Sequence, residues 1–221
     1  MQTKPVLIFD FDGTIADTFT PTMEILRGEY EKWGDEFHQE HTVNQLRGLT
    51  IWEIIQTIPG GWWKFAYLLA LAKKHVRENA YRIKAYPGII YTLNTLCDQG
   101  YVMHVVTSNK TENVANFLRQ YDLEGVFRSI NETHGFWRKA KTLKKFCRRE
   151  KLDPRECVYF GDEIRDIQAC RKAKIPIISL TYGYNSEAGL EKFSPEALAR
   201  KPTQILTLLS TLEKNGTLCQ K

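Results

Sequence analysis

A chain of 221 residues is long enough to bury a sizeable core, as one domain or as one domain carrying an insertion. With 43% hydrophobic and 26% charged residues it has the composition of an ordinary globular protein, and a net charge of +5 spread among mixed acids and bases makes no bulk case for nucleic acid or membrane. The cysteines (Cys97, Cys147, Cys157, Cys170 and Cys219) are odd in number and form no C-x-x-C pair, which favours reduced thiols in a cytoplasmic protein over a disulfide framework or a zinc site.

The opening "MQTKPVLIFD" reaches an acid after a short apolar run, so it reads as a buried strand over 6–10, not as a signal peptide or a span. From 15 to 85 only helical patterns follow, clearest in "EILRGEYEKW" and "WWKFAYLLALAKKHVRENAYRIKAY". A small all-α insertion is the simplest account, with 13–16 and 85–88 as hinges. "PGIIYTLNTLCDQG" then has a helix start at Pro87 and a stop at Gly100.

Strands are predicted at 101–107 ("YVMHVVT"), 125–130 ("GVFRSI"), 157–162 ("CVYFGD") and 175–181 ("IPIISLT"). Between and after them lie the helical patterns "TENVANFLRQYDL", "IRDIQACRKAK" and "PTQILTLLSTLEKNG". Strands alternating with helices imply a doubly wound α/β domain, a parallel sheet covered on both faces. The expected organisation is an α/β core over 1–14 and 86–214, a helical cap over 15–85 and a polar tail over 215–221.

In such a sheet ligands collect at the carboxyl ends of the strands, and the polar residues cluster there: Asp10 and Asp12, the "TSN" of Thr107–Asn109, and Asp162 with Asp166 in "GDEIRD". Asp10, Asp12 and Asp162 brought together would repel unless a cation sat among them, and hard oxygen donors suit Mg²⁺. Thr107, neighbouring backbone N–H groups and a lysine from "RKAKTLKK" would answer phosphate oxygens. One acid can attack phosphorus while its neighbour handles the leaving group's proton, which gives Asp10 as nucleophile and Asp12 as acid and base. Gly13 suits the tight exit after them, where N–H groups can be laid against an anion.

These stretches resemble the haloacid dehalogenase superfamily of phosphohydrolases: "DFDGTIADT" is similar to its first motif, "VVTSN" to its second and "VYFGDEIRDIQACRKAKIP" to its fourth. The inserted helices resemble the cap of the phosphoglycolate phosphatase-like branch. The resemblance implies a Mg²⁺-dependent phosphatase acting on a small phosphorylated metabolite, with Asp10, Asp12 and Asp162 at the metal and Asp166 in support. It also implies a phosphate site of Gly13, Thr107, Ser108, Asn109 and a lysine. Where that branch often shows Lys-Pro-x-Pro, this chain has "WRKAKTLKKF"; Lys139, just ahead of the helical run, is the choice and Lys141 the rival. "QLRGLTIWEII" resembles the branch's substrate-facing loop, making Arg47, Gly48 and Thr50 candidates for the non-phosphate part.

Other features have simpler readings. The basic run 138–151 carries Leu143, Phe146 and Cys147 at helical spacing, so it reads as a surface helix with a solvated face and not as a nucleic-acid site. His38 and His41 lack a completing ligand cluster, Asp17 reads as a cap or turn residue, and Trp33, Trp52, Trp62 and Trp63 read as packing for a small bundle. Tyr182, Gly183 and Tyr184 follow the last strand and have two readings, an edge of the same cleft or, more simply, a surface loop. The rival functions are a phosphosugar mutase-type phosphotransferase on the same core, a dehalogenase, and a non-catalytic nucleic-acid-binding protein.

Overall fold

The computed structural model describes residues 4–32, 45–58, 60–135 and 137–214. Strands β1 (Val6–Phe9), β4 (Met103–Thr107), β5 (Ser129–Glu132), β6 (Cys157–Gly161), β7 (Ile177–Leu180) and β8 (Ala197–Ala199) form one sheet in the order β5-β4-β1-β6-β7-β8. Every pairing in it is parallel. The expected α/β architecture is present, with one strand more than the sequence suggested. β8 is three residues of Ala-Leu-Ala at the sheet edge, too short to show a period.

Because successive strand residues point to opposite faces, each central strand feeds two cores. Leu7, Phe9, Val158, Phe160, Ile178 and Leu180 pack with α4 (Ile89–Asp98), α5 (Thr111–Gln120) and α9 (Gln204–Lys214) on one side. Ile8, Tyr159 and Ile177 pack with α6 (Lys139–Glu150) and α7 (Ile164–Ala173) on the other. The chain moves outward from β1 to β4 and β5, then returns to β6 on the opposite side of β1. That reversal opens a crevice at the carboxyl ends of β1, β4 and β6.

After β1 the chain makes a tight turn and enters β2 (Ala16–Asp17), which pairs antiparallel with β3 (Lys84–Ala85). Between those two short strands lie α1 (Phe19–Lys32), α2 (Ile51–Thr57) and α3 (Gly61–Glu78). Ile58 and Leu68 are buried there against Leu26, Ile54 and Phe65. The tryptophans do not supply that packing: Trp52 is 60% exposed, Trp62 47% and Trp63 84%. Trp33, His38 and His41 lie outside the described residues.

Candidate active site

Asp10 follows β1 directly, and its N–H donates to Phe160 O at 2.8 Å, holding the residue in register beside β6. The next residues turn back on themselves, with Ile15 N and Ala16 N both donating to Phe11 O and Gly13 N donating to Ala16 O at 2.9 Å. Gly13 sits at φ +75°, and a Cβ there would stand 2.1 Å from Asp162 Oδ2. Glycine is therefore required twice, for the backbone conformation and for the approach of a carboxylate. The Gly13 N–H expected to face an anion is instead committed to the turn.

Oxygens of Asp10, Asp162 and Asp166 lie within 4.8 Å of one another, and all three residues are buried. Lys139, at the start of α6, is buried with them and donates to Asp10 Oδ2 and to Asp166 Oδ1, each at 2.5 Å. Lys141 is exposed. Burial works against the lysine's charge, but the carboxylates of Asp10 and Asp166 outweigh it and hold its pKa above the ordinary value. Asp166 is pushed up to about 6 by burial, against the pull of Lys139.

Asp162 accepts from Thr14 Oγ1 at 2.9 Å and from Tyr184 N at 2.7 Å. Burial, reinforced by the charges of Glu163, Asp166 and Asp10, drives its pKa well up. Three buried carboxylates thus meet here, two of them paired with Lys139, and Arg165 is a further positive neighbour of Asp166. Hard oxygen donors with this charge imbalance suit a divalent cation such as Mg²⁺.

The set differs in one member from the expected Asp10, Asp12 and Asp162. Asp12 Oδ1 instead accepts from Asn109 Nδ2 at 3.0 Å. Two residues beyond Asp10 on a turning chain, its side chain leaves the acid cluster and faces a large cavity. Burial and the charge of Asp10 raise its pKa to about 6, a value suited to giving and taking a proton near neutrality.

Thr107, at the end of β4, is buried, and its Oγ1 accepts from Asn109 N at 3.0 Å, shaping the turn that aims Asn109 at Asp12. Ser108 and Asn109 border the cavity, which has a volume of about 630 Å³ and is walled on its far side by α1, α2 and α3.

The loop-facing candidates divide. Arg47 borders the cavity, but its guanidinium donates to Gly183 O at 2.8 Å and Tyr184 O at 3.2 Å. Gly48 packs against α8 (Glu187–Glu191), where a Cβ on Gly189 would stand 2.8 Å from Gly48 Cα. Thr50 is the N-cap of α2, in a reciprocal box with Glu53. Gly48 and Thr50 are absorbed by local structure, because a capping threonine and a close-packed glycine have little left to offer a ligand.

For the segment after β7 the simpler of the two sequence readings fails and the cleft edge holds. Tyr182, Gly183 and Tyr184 do not form a surface loop: a Cβ on Gly183 would stand 2.2 Å from Asp162 Oδ2, and Tyr184 N caps that carboxylate. Asn185 is buried, accepting from Ile164 N at 2.9 Å and donating to Arg47 O at 2.8 Å and Leu49 O at 3.1 Å. The available signal was the "YGYN" run itself, a glycine flanked by side chains able to hydrogen-bond right after a buried strand. Missed by the sequence reading was Arg165, which donates to Glu163 Oε1 at 2.5 Å beside the acids.

Residues 7–180 match the family described as haloacid dehalogenase-like hydrolase. The chain belongs to that family. A phosphoglycolate phosphatase of Synechococcus elongatus is 25% identical over 206 residues, covering 93% of this chain and 97% of its own. One of Aquifex aeolicus is 22% identical over 207 residues, covering 92% and 96%. Among solved structures, a haloacid dehalogenase-like hydrolase from Streptococcus pneumoniae aligns with a TM-score of 0.74 at 18% identity, covering 94% of this chain and 99% of that one. This haloacid dehalogenase-like chain is a hydrolase of the phosphatase type, similar to phosphoglycolate phosphatase. No helix among the described residues is long and apolar enough to cross a membrane.

Proposed function

We propose that this hydrolase is a Mg²⁺-dependent phosphatase that cleaves a phosphate monoester through a phosphorylated Asp10. The observation that carries the reading is the meeting of buried Asp10, Asp162 and Asp166 within 4.8 Å, with Lys139 bridging Asp10 and Asp166. Asp10 and Asp162 would hold Mg²⁺, with Asp166 fixing Lys139. The metal, when bound, neutralises phosphate charge and polarises the phosphoryl group.

An Asp10 carboxylate oxygen forms a bond to phosphorus as the bond to the ester oxygen breaks. Asp12, protonated in part at neutral pH with a pKa of about 6, gives its proton to the departing oxygen. Water then attacks phosphorus, Asp12 accepts its proton, and the acyl phosphate splits to free Asp10 and inorganic phosphate. Lys139, held by Asp10 and Asp166, stabilises negative charge on the transferring group, and Thr107 and Ser108, at the end of β4, would meet the phosphate.

The pairing of β2 with β3 supports residues 15–85 as a cap set on a core of 1–14 and 86–214; the tail expected over 215–221 lies outside the described residues. Closure of that cap would exclude water from the acyl phosphate. The names of the curated relatives make 2-phosphoglycolate the reference substrate.

Rapid acid quench during turnover with Mg²⁺, followed by mass spectrometry of the peptide containing Asp10, tests the reading. A phosphoryl adduct on Asp10 that is absent from Asp10→Asn is expected. Turnover with no adduct, or turnover retained by Asp10→Asn, would overturn it.

A further inference from the structure

The cavity that begins at Asp12 and Asn109 is larger and greasier than a two-carbon acid requires. Its volume of about 630 Å³ falls within the roughly 300–1,000 Å³ that accommodates ligands of drug size. Leaving the core it runs past Leu26 on α1, Ile54 on α2, and Leu69 and Val76 on α3. Leu69 and Val76 lie seven residues apart, two turns along one helical face. All four are half-buried; Leu26 and Ile54 lean on Ile58 and Leu68, and Val76 leans on the core, yet each still borders the cavity.

The cations along the same wall are poorly placed for a small carboxylate. Arg47 turns its guanidinium to the carbonyls of Gly183 and Tyr184, and Arg165 is paired with Glu163. Lys73, Arg77 and Lys110 border the cavity but are exposed, where water competes for any anion. A two-carbon acid would leave that apolar wall uncovered, whereas a longer hydrocarbon body would bury it.

Building on the phosphatase reading, we infer that the alcohol carried by the substrate is an apolar body of several carbons, lying along Leu26, Ile54, Leu69 and Val76 with its phosphate at Asp10. Asp12 then protonates the oxygen of a long-chain or aryl alcohol, which departs into the apolar cavity. Selectivity arises because each methylene buried against these side chains strengthens binding by about fourfold.

The test is kcat/KM with Mg²⁺ across the n-alkyl phosphates from ethyl to octyl, with 2-phosphoglycolate alongside. In parallel, calorimetry measures binding of the matching alkylphosphonates, which need no turnover. The expected result is a rise of about threefold to fourfold per methylene in both series. 2-Phosphoglycolate should fall below the hexyl ester. In Leu69→Gln the ratio of octyl to ethyl turnover should drop about tenfold, a comparison internal to each protein sample.

A flat chain-length profile in both series, or 2-phosphoglycolate surpassing every alkyl ester, would overturn the inference while leaving the phosphatase reading intact. Alkylphosphonate affinity that climbs with length while no ester is hydrolysed would support the inference and remove the catalytic reading instead.

Discussion

Lys139 is the side chain whose position decides most about the site, because it is shared by two buried carboxylates. Truncating it strands Asp10 and Asp166 in the interior, and leaving buried charges without their partner costs about 3–5 kcal/mol. Lys139→Ala is therefore expected to lose stability on that scale in urea titrations and to lower kcat by about 10²- to 10³-fold. Lys141→Ala, at an exposed position, should change neither by more than about twofold; equal effects of the two would contradict the assignment. Gly13 yields a second prediction. With φ at +75° and a Cβ due 2.1 Å from Asp162 Oδ2, Gly13→Ala must strain the backbone or expel the carboxylate. A stability loss of about 1–2 kcal/mol or more is expected, with weaker Mg²⁺ binding by calorimetry. An unaltered metal affinity would show that Asp162 does not depend on this approach. The sequence announced Gly13, because it follows two acids at a strand end. The matching glycine at 183 left only the "YGYN" run as a local sign, since its approach to Gly13 O joins segments 170 positions apart.

At the scale of elements, β1, β4, β6, β7 and the core helices were legible, because each of these strands is a short Val-, Ile- or Phe-rich run and each helix repeats apolar residues about every third or fourth position, whereas β5 lies at Ser129–Glu132 against the expected 125–130 and β8 was not expected. What failed was the reading of large aromatic residues as packing. Trp52, in α2, stacks on Trp137, just before α6, with ring centroids 5.9 Å apart and planes 16° from parallel. Both are half or more exposed, so this pair joins the helices of the insertion to the segment that delivers Lys139 instead of filling a core. Periodicity marks a residue as facing a neighbour, but cannot say whether that neighbour belongs to the same layer. A double-mutant cycle with Trp52→Ala and Trp137→Ala should give a coupling of about 0.5–1.5 kcal/mol in unfolding free energy, toward the lower end for so exposed a pair. A coupling near zero would mean that the rings merely lie side by side.

For the whole molecule, strand order governs what the site can be: β1 lies between β4 and β6, so three distant segments end at one crevice. That convergence was readable from the motifs alone, whereas the cavity opposite it was not, because its wall is assembled from three helices whose mutual placement no single stretch encodes. Global stability should also respond to pH through the core. His104, in β4, is buried with Nδ1 2.7 Å from Ser129 Oγ. Burial holds its pKa below the usual 6.5, with Glu150 opposing and Arg128 and Arg149 assisting. Its stability contribution is thus full above pH 6.5 and is lost as pH falls toward the folded-state value, since the unfolded chain binds the proton first. Urea midpoints of the parent should fall between pH 7.5 and 5.5 more steeply than those of His104→Gln; parallel slopes would contradict this. The account as a whole rests on acids from separate segments gathering to hold a divalent ion where Asp10 can be phosphorylated. Its most direct test is diffraction from crystals grown in Mg²⁺, which should reveal an ion bound by Asp10 and Asp162, whereas an ion-free cluster at saturating Mg²⁺, with Lys139 still bridging Asp10 and Asp166, would contradict it.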